Sequence, residues 1–276
     1  MTVLQAVALA VVQGLTEFFP ISSSAHLILM PQLMRWQDQG LPFDIATNTG
    51  TLLAIMVYFR RDLRELWDGW IVSLGAWKRG SYRAAAPAPG RLAWAILLGT
   101  VPAAIAGVLV RDLVATAARN PLLIATTSIF YGLLLWWSDR AGARTRNLAS
   151  LGRREGLIIG IAQALALVPG TSRSGVTITA GLFLGLDRPA AARFSFLLAV
   201  PVGVLVALDD LVQIWQGRIP SEDLFPMAIG LLVSALTGYA VIAALLAWLR
   251  RQSLLIFVVY KLLLGLAIFL FAWLLR

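Results

Sequence analysis

The chain reads as an all-α polytopic membrane protein, with six transmembrane helices and two re-entrant helical hairpins in an inverted-topology repeat. Composition is the first observation behind this. Of 276 residues, 59% are hydrophobic and 13% charged, against roughly 25% charged in a soluble domain. The second is a set of charge-free apolar runs near or above the ~20 residues that cross a hydrocarbon core. The third is an ordered match between the two halves. Strand-type alternation is absent, and the apolar runs are too long for barrel strands.

The elements follow in order. Residues 1–34 are apolar but broken by Glu17, Pro20 and the triplet Ser22-Ser23-Ser24. They are expected to form the first re-entrant hairpin. Spans are expected at about 43–59, 92–110 and 120–138, with a loop at 60–91. Residues 156–186 break at Pro169-Gly170 and form the second hairpin. Each half of that hairpin, about 13 residues, reaches only about 20 Å as helix, short of the ~30 Å core. The last spans are expected at about 194–210, 224–249 and 252–275. The first repeat is then 1–140 and the second 155–276, within one integral membrane domain.

Matched residues support the duplication. Gln13 pairs with Gln163, Pro20 with Pro169, Ser23 with Ser172, and Leu52-Leu53-Ala54 with Leu197-Leu198-Ala199. Gly107 pairs with Gly238, and Leu123-Ile124 with Leu255-Ile256. Three spans per repeat is odd, so the second copy lies inverted.

The formal net charge is +9. In this chain it describes topology rather than nucleic-acid binding, because the basic residues cluster between spans. Arg60, Arg61, Arg64, Lys78, Arg79, Arg83 and Arg91 fall on one side of the six-span arrangement. Arg140, Arg144, Arg146, Arg153, Arg154, Arg188, Arg193, Arg250 and Arg251 share that side, which is therefore cytoplasmic. The opposite loops carry far fewer, with Arg111, Arg119 and Arg218 among them. The first hairpin then opens outward and the second inward, with tips meeting near mid-membrane or toward the outer half. The N-terminus lacks a basic leader pattern and is expected to belong to the mature fold. The chain has no cysteine, which removes disulfides and thiolate metal sites.

Chemistry concentrates at the two breaks. An ionisable group at membrane depth is a functional candidate by default. Gln13 and Glu17, one helical turn apart, face the same way. Glu17 suits cation binding or general-base work; equally, the pair suits a cap or hinge at Pro20. Ser22, Ser23 and Ser24 lead to His26, the only histidine. Serines in such breaks often satisfy freed backbone groups, yet Ser, His and Glu together also suffice for nucleophilic catalysis. Arg173, flanked by Ser172 and Ser174 and followed by Gly175 and Thr177, offers a planar fork for phosphate. Its bland alternative is a structural ion pair with Glu17. Asp44 and Lys261 are expected near span ends, with their charges reaching outward.

The two islands resemble the signatures of the undecaprenyl-diphosphate phosphatase family, the bacitracin-resistance type. Gln13 and Glu17 fill its (Glu/Gln)-x-x-x-Glu motif, which runs into Phe-x-Pro-x-Ser-Ser-x-x-His. Pro169, Gly170, Ser172, Arg173, Ser174 and Thr177 fill its Pro-Gly-x-Ser-Arg-Ser-x-x-Thr motif. The segment from Phe43-Asp44 to Ala54 is also similar. Departures are Gln13 for an acid, Ala25 for a usual Gly, and Asn48 for a usual Gln or His. The resemblance implies a hydrolase assisted by a divalent cation, Mg²⁺ or Ca²⁺, acting on undecaprenyl diphosphate at the outer face of the bacterial inner membrane. Its product, undecaprenyl phosphate, would be recycled for peptidoglycan synthesis.

By the same resemblance Glu17, Ser23, His26 and Arg173 are the catalytic groups, with Glu17 on the metal. Gln13, Ser22, Ser172, Ser174, Gly175 and Thr177 support the substrate. Either Ser23 or His26 serves as nucleophile. The rival reading is a polyprenyl-phosphate transporter or flippase, since broken helices in inverted repeats also build transporters. The two-histidine class of lipid phosphatases fails on a single His. Gly and Ala faces on the spans would serve a homodimer as well as repeat packing, so oligomeric state stays open.

Overall fold

The computed structural model describes residues 1–78, 88–110, 120–215 and 224–274. Arg79, Arg83, Arg111, Arg119 and Arg218 lie outside the described residues. No β-strand occurs among the described residues beyond one isolated bridge between Arg146 and Leu186.

The first half contains α1 (Val3–Phe18), α2 (Ser23–Met34), α3 (Gly40–Tyr58), α4 (Arg60–Lys78), α5 (Ala88–Leu109) and α6 (Pro121–Ala141). The second contains α7 (Arg153–Ala164), α8 (Arg173–Phe183), α9 (Arg188–Trp215), α10 (Leu224–Leu249) and α11 (Leu255–Leu274). Among the described residues, five helices are long and apolar enough to cross a membrane: α5, α6, α9, α10 and α11. Helix α3 falls short of that apolarity because Asp44, Thr47, Asn48, Thr49 and Thr51 interrupt it.

Two expectations change. The 60–91 stretch is not simply a loop, since α4 occupies its first part. Leu63, Leu66, Trp67 and Trp70 recur at three- and four-residue intervals there, which is the pattern of an amphipathic helix. The span expected at 194–210 belongs to a longer helix, Arg188–Trp215.

Both islands break their helices in the same way. Ser22 and Ser172 are N-caps with left-handed backbone, φ 78° and 71°. A non-glycine residue held there costs on the order of 1–3 kcal/mol. In both turns the N-cap hydroxyl lies 3.2 Å from the hydroxyl two residues on, Ser24 or Ser174. This shifts the repeat register by one: Ser22 matches Ser172, and Ser23 matches Arg173. Gln13 and Gln163 already keep this spacing. So do Ala6 and Ala10, which match Gly156 and Gly160.

The halves interlock. Helix α5 packs on α7, while α10 packs on α1, so each half covers the other's first half-helix. Small residues allow the close approach. A Cβ added to Gly156 would lie 2.6 Å from the Ala95 Cα, and one on Gly14 would lie 2.7 Å from the Thr237 Cβ. Ala6 and Ala10 are fully buried on the same face as Gly14. Several basic residues of the expected cytoplasmic side are paired with acids. Arg146 binds Glu155 at 2.8 Å, Arg188 binds Asp139, and Arg193 binds Asp62.

Candidate active site

The interlocked packing brings the C-terminal end of α1 to the N-terminal end of α8. The Ser174 hydroxyl donates to the Phe19 carbonyl oxygen at 3.1 Å, tying the two breaks together. Arg173 then reaches Glu17: its Nη2 donates to Oε1 at 2.8 Å. The other carboxylate oxygen accepts from the Ser23 hydroxyl at 2.7 Å and from Gln13 Nε2 at 3.2 Å. Gln13 Nε2 also donates to Asn48 Oδ1 at 2.8 Å. One hydrogen-bonded unit therefore joins both islands and α3.

Arg173 is further held by the Ser195 carbonyl oxygen, 3.4 Å from Nη1. Thr177 Oγ1 donates to the Arg173 carbonyl oxygen and lies 2.7 Å from the Ser195 hydroxyl. Ser172 caps α8 by accepting from the Gly175 N–H at 3.2 Å. Ser172, Ser174, Gly175 and Thr177 thus hold Arg173 in place rather than sharing its cavity. Three of the five donors of a guanidinium remain beyond the two bonds seen.

His26 is not brought to Ser23 or Glu17. Its Nδ1 lies 2.7 Å from the Ser22 carbonyl oxygen and its Nε2 2.6 Å from the Tyr260 hydroxyl. A carbonyl can only accept, so Nδ1 carries a proton, and in the neutral ring Nε2 accepts from Tyr260. The two rings also stack.

Lys261 departs most from the sequence reading. It does not reach outward; its side chain is 1% exposed. Its Nζ donates to the Gly170 and Thr171 carbonyl oxygens at 3.0 and 2.9 Å. Thr127 adds a bond to the Pro169 carbonyl oxygen at 2.6 Å. These donors answer carbonyls freed where the helix breaks. Lys261→Met is therefore expected to destabilise the second break, at ~1–3 kcal/mol for each carbonyl left unpaired. The measurement is a lower unfolding midpoint in detergent.

Asp44 accepts from Gln39 Nε2 at 2.9 Å and faces a cavity of about 560 Å³, alongside Gln13, Ser23 and Asn48. It too is turned inward. A smaller cavity of about 220 Å³ touches Glu17 and Arg173 directly and continues between α3 and α9. The ion pair could be structural by geometry alone. Its two side chains, each 19% exposed, line a cavity with hydroxyl and amide groups around them, and this favours a binding site.

Sequence comparison decides the family. The model of the family described as bacitracin resistance protein BacA matches residues 6–267. The chain belongs to the BacA family. It is 52% identical to the undecaprenyl-diphosphatase of Magnetococcus marinus over 272 residues, 98% of each chain. It is 48% identical to undecaprenyl-diphosphatase 2 of Stutzerimonas stutzeri, over 96% of each. Against undecaprenyl-diphosphatase 1 of Pseudoalteromonas translucida the identity is 44%, over 98% of this chain and 99% of the relative.

Within this BacA site, Tyr260, Lys261, Ser195 and Asn48 are the participants that sequence reasoning missed or left without a role. Lys261 had a signal, as the only charge in the final span. Tyr260 and Ser195 had none, because nothing in a one-dimensional pattern gives the rotation of a helix about its axis. No group of three or more His, Asp or Glu gathers among the described residues. The oxygen donors beside Glu17 nevertheless include the Gln13 Oε1, which is buried without a hydrogen-bond partner. Hard divalent cations take such oxygen ligands.

Proposed function

We propose that this chain hydrolyses undecaprenyl diphosphate to undecaprenyl phosphate and inorganic phosphate. The observation that carries the reading is the Ser23–Glu17–Arg173 unit, assembled across the two halves at an amphipathic cavity. Relatives spanning the full chain are named undecaprenyl-diphosphatase, which favours the enzyme over the transporter reading. The substrate is a lipid, and the chain is a multi-pass membrane protein.

Phosphoryl transfer needs positioning and charge neutralisation more than covalent machinery. Arg173 supplies a permanent positive fork for the diphosphate. The geometry supports Ser23 as the nucleophile. Its hydroxyl already points at the Glu17 carboxylate, a suitable proton acceptor. The Ser23 Oγ–phosphorus bond forms as the bridging P–O bond breaks, releasing undecaprenyl phosphate and leaving a phosphoserine. Water then cleaves that ester and frees inorganic phosphate. His26, engaged by Ser22 and Tyr260, fits positioning of the α2 turn.

Glu17 and the unpartnered Gln13 Oε1 would hold a divalent cation, Mg²⁺ or Ca²⁺, which when bound supplies charge neutralisation on the phosphate. Six spans with two re-entrant hairpins remain our reading of the topology. It puts the first hairpin, and with it the diphosphate, toward the outer face of the bacterial inner membrane. The product would be reused as a carrier for envelope polymers.

Purified protein should release phosphate from undecaprenyl diphosphate, and Ser23→Ala should lower that rate by ~10³-fold or more. Ser22→Ala should retain measurable turnover. A Ser23→Ala protein running near the parent rate would remove Ser23 from the chemistry while leaving hydrolysis itself intact.

A further inference from the structure

We propose that the isoprenoid chain leaves the diphosphate site sideways, through the seam between α3 and α9, and that Gly203 sets the width of this passage. The inference rests on the phosphatase reading and adds the path of the tail.

The cavity that touches Glu17 and Arg173 is lined by two chemically different sets of residues. Asn48 and Thr51 join the charged pair as polar lining, while Leu52, Ile55, Gly203 and Val206 supply apolar lining. Val206 is 48% exposed, on a helix apolar enough to span the membrane. The apolar lining therefore reaches the lipid-facing surface. At about 220 Å³ the space is below the ~300–1,000 Å³ that encloses a drug-sized ligand. It can hold the first isoprene units only, so the rest of an undecaprenyl chain must continue into the bilayer.

The other face of the site is the more polar of the two. In the larger cavity Gln13, Ser23 and Asp44 stand beside Leu27, Ile28 and Leu41. It suits water and released phosphate. The inverted repeat offers one more seam of the same kind, between α6 and α11, and that one is shut. A Cβ added to Gly265 there would sit 2.5 Å from the Ile129 Cγ1 and 2.9 Å from the Ala125 carbonyl oxygen. Lys261 fills the space beside Gly132, whose added Cβ would lie 3.2 Å from the lysine Cβ. In the α3–α9 seam the obstacle is different. The three atoms nearest to a Cβ on Gly203 all belong to the Leu52 side chain, with Cδ1 at 2.8 Å and Cδ2 at 3.5 Å. A leucine side chain can swing aside for a passing chain, whereas backbone cannot. Any side chain at position 203 would take up the room that this movement needs.

The test is a chain-length series: dimethylallyl, geranyl, farnesyl and undecaprenyl diphosphates, with kcat/KM measured by phosphate release. Gly203→Leu and Val206→Trp should each show a deficit that deepens with chain length, reaching about tenfold or more for undecaprenyl diphosphate. Leu236→Trp, on the exposed face of α10, is the control and should give the same ratio to the parent at every length. Val206 already faces outward, so its variant decides the matter even if Gly203→Leu fails to fold. A deficit equal at all lengths, no deficit, or the same length dependence in the control would each overturn the proposal. Failure of the parent protein to release phosphate from any of the four would instead sink the phosphatase reading itself.

Discussion

Arg173→Ala is expected to abolish phosphate release, with kcat/KM on undecaprenyl diphosphate falling by ~10³-fold or more. The expectation follows from geometry. Arg173 opens α8, and its guanidinium spends one bond on Glu17 and one on the Ser195 carbonyl oxygen. Its remaining donors can serve an anion in the adjoining cavity. The alanine variant also strands the Glu17 carboxylate, so loss of activity must be separated from loss of fold. Arg173→Lys makes that separation. It keeps the charge near Glu17 but not the planar fork. It should fold like the parent, yet retain no more than ~1% of its kcat/KM, because a point charge does not replace bidentate phosphate binding. Near-parent activity in either variant would show that the ion pair is structural.

Glu17→Gln is the second large effect. The substitution preserves shape, so the hairpin should stay assembled, as judged by size-exclusion in detergent. It removes the proton acceptor for Ser23 and the main oxygen ligand for a divalent cation. Turnover should fall by ~10²–10⁴-fold, the range for loss of a general base. Any residual activity should need more Mg²⁺ or Ca²⁺ for half-saturation. A variant within twofold of the parent, with an unchanged metal titration, would remove Glu17 from both roles. A normal metal titration with slow turnover would assign it to proton transfer alone.

Much of the site was legible because charge stands out in an apolar chain. Glu17 and Arg173 could be singled out without knowing any contact, and the ordered repeat gave a reason for them to meet. What was not legible depended on helix rotation. His26 lies three residues from Ser23, so the two looked ready to fold together. Helical geometry instead puts His26 over the carbonyl of Ser22, one turn back, and aims its other nitrogen at Tyr260. Lys261 is visible in the sequence as a lone charge, but a long stem near a span end predicts an outward reach that the structure does not have. A count of backbone groups would have corrected this, since a broken helix frees carbonyls that must find donors. Helix α4 was hidden by its charges, although its Leu and Trp spacing was there to be read. The repeat register slipped by one because prolines were aligned, whereas the left-handed serines are what the two turns share.

The interlocking of the halves also has a consequence in time. Glu17 and Arg173 are 156 residues apart. At ~5–20 residues per second of synthesis, the ribosome makes the acid roughly 8–30 s before its counter-ion. Helix α10, which covers α1, emerges later still. During that interval the Glu17 carboxylate has its first-half partners Ser23 and Gln13 but no arginine. No fragment ending before α8 contains a site, so premature termination yields an inert membrane protein rather than a weakly active one.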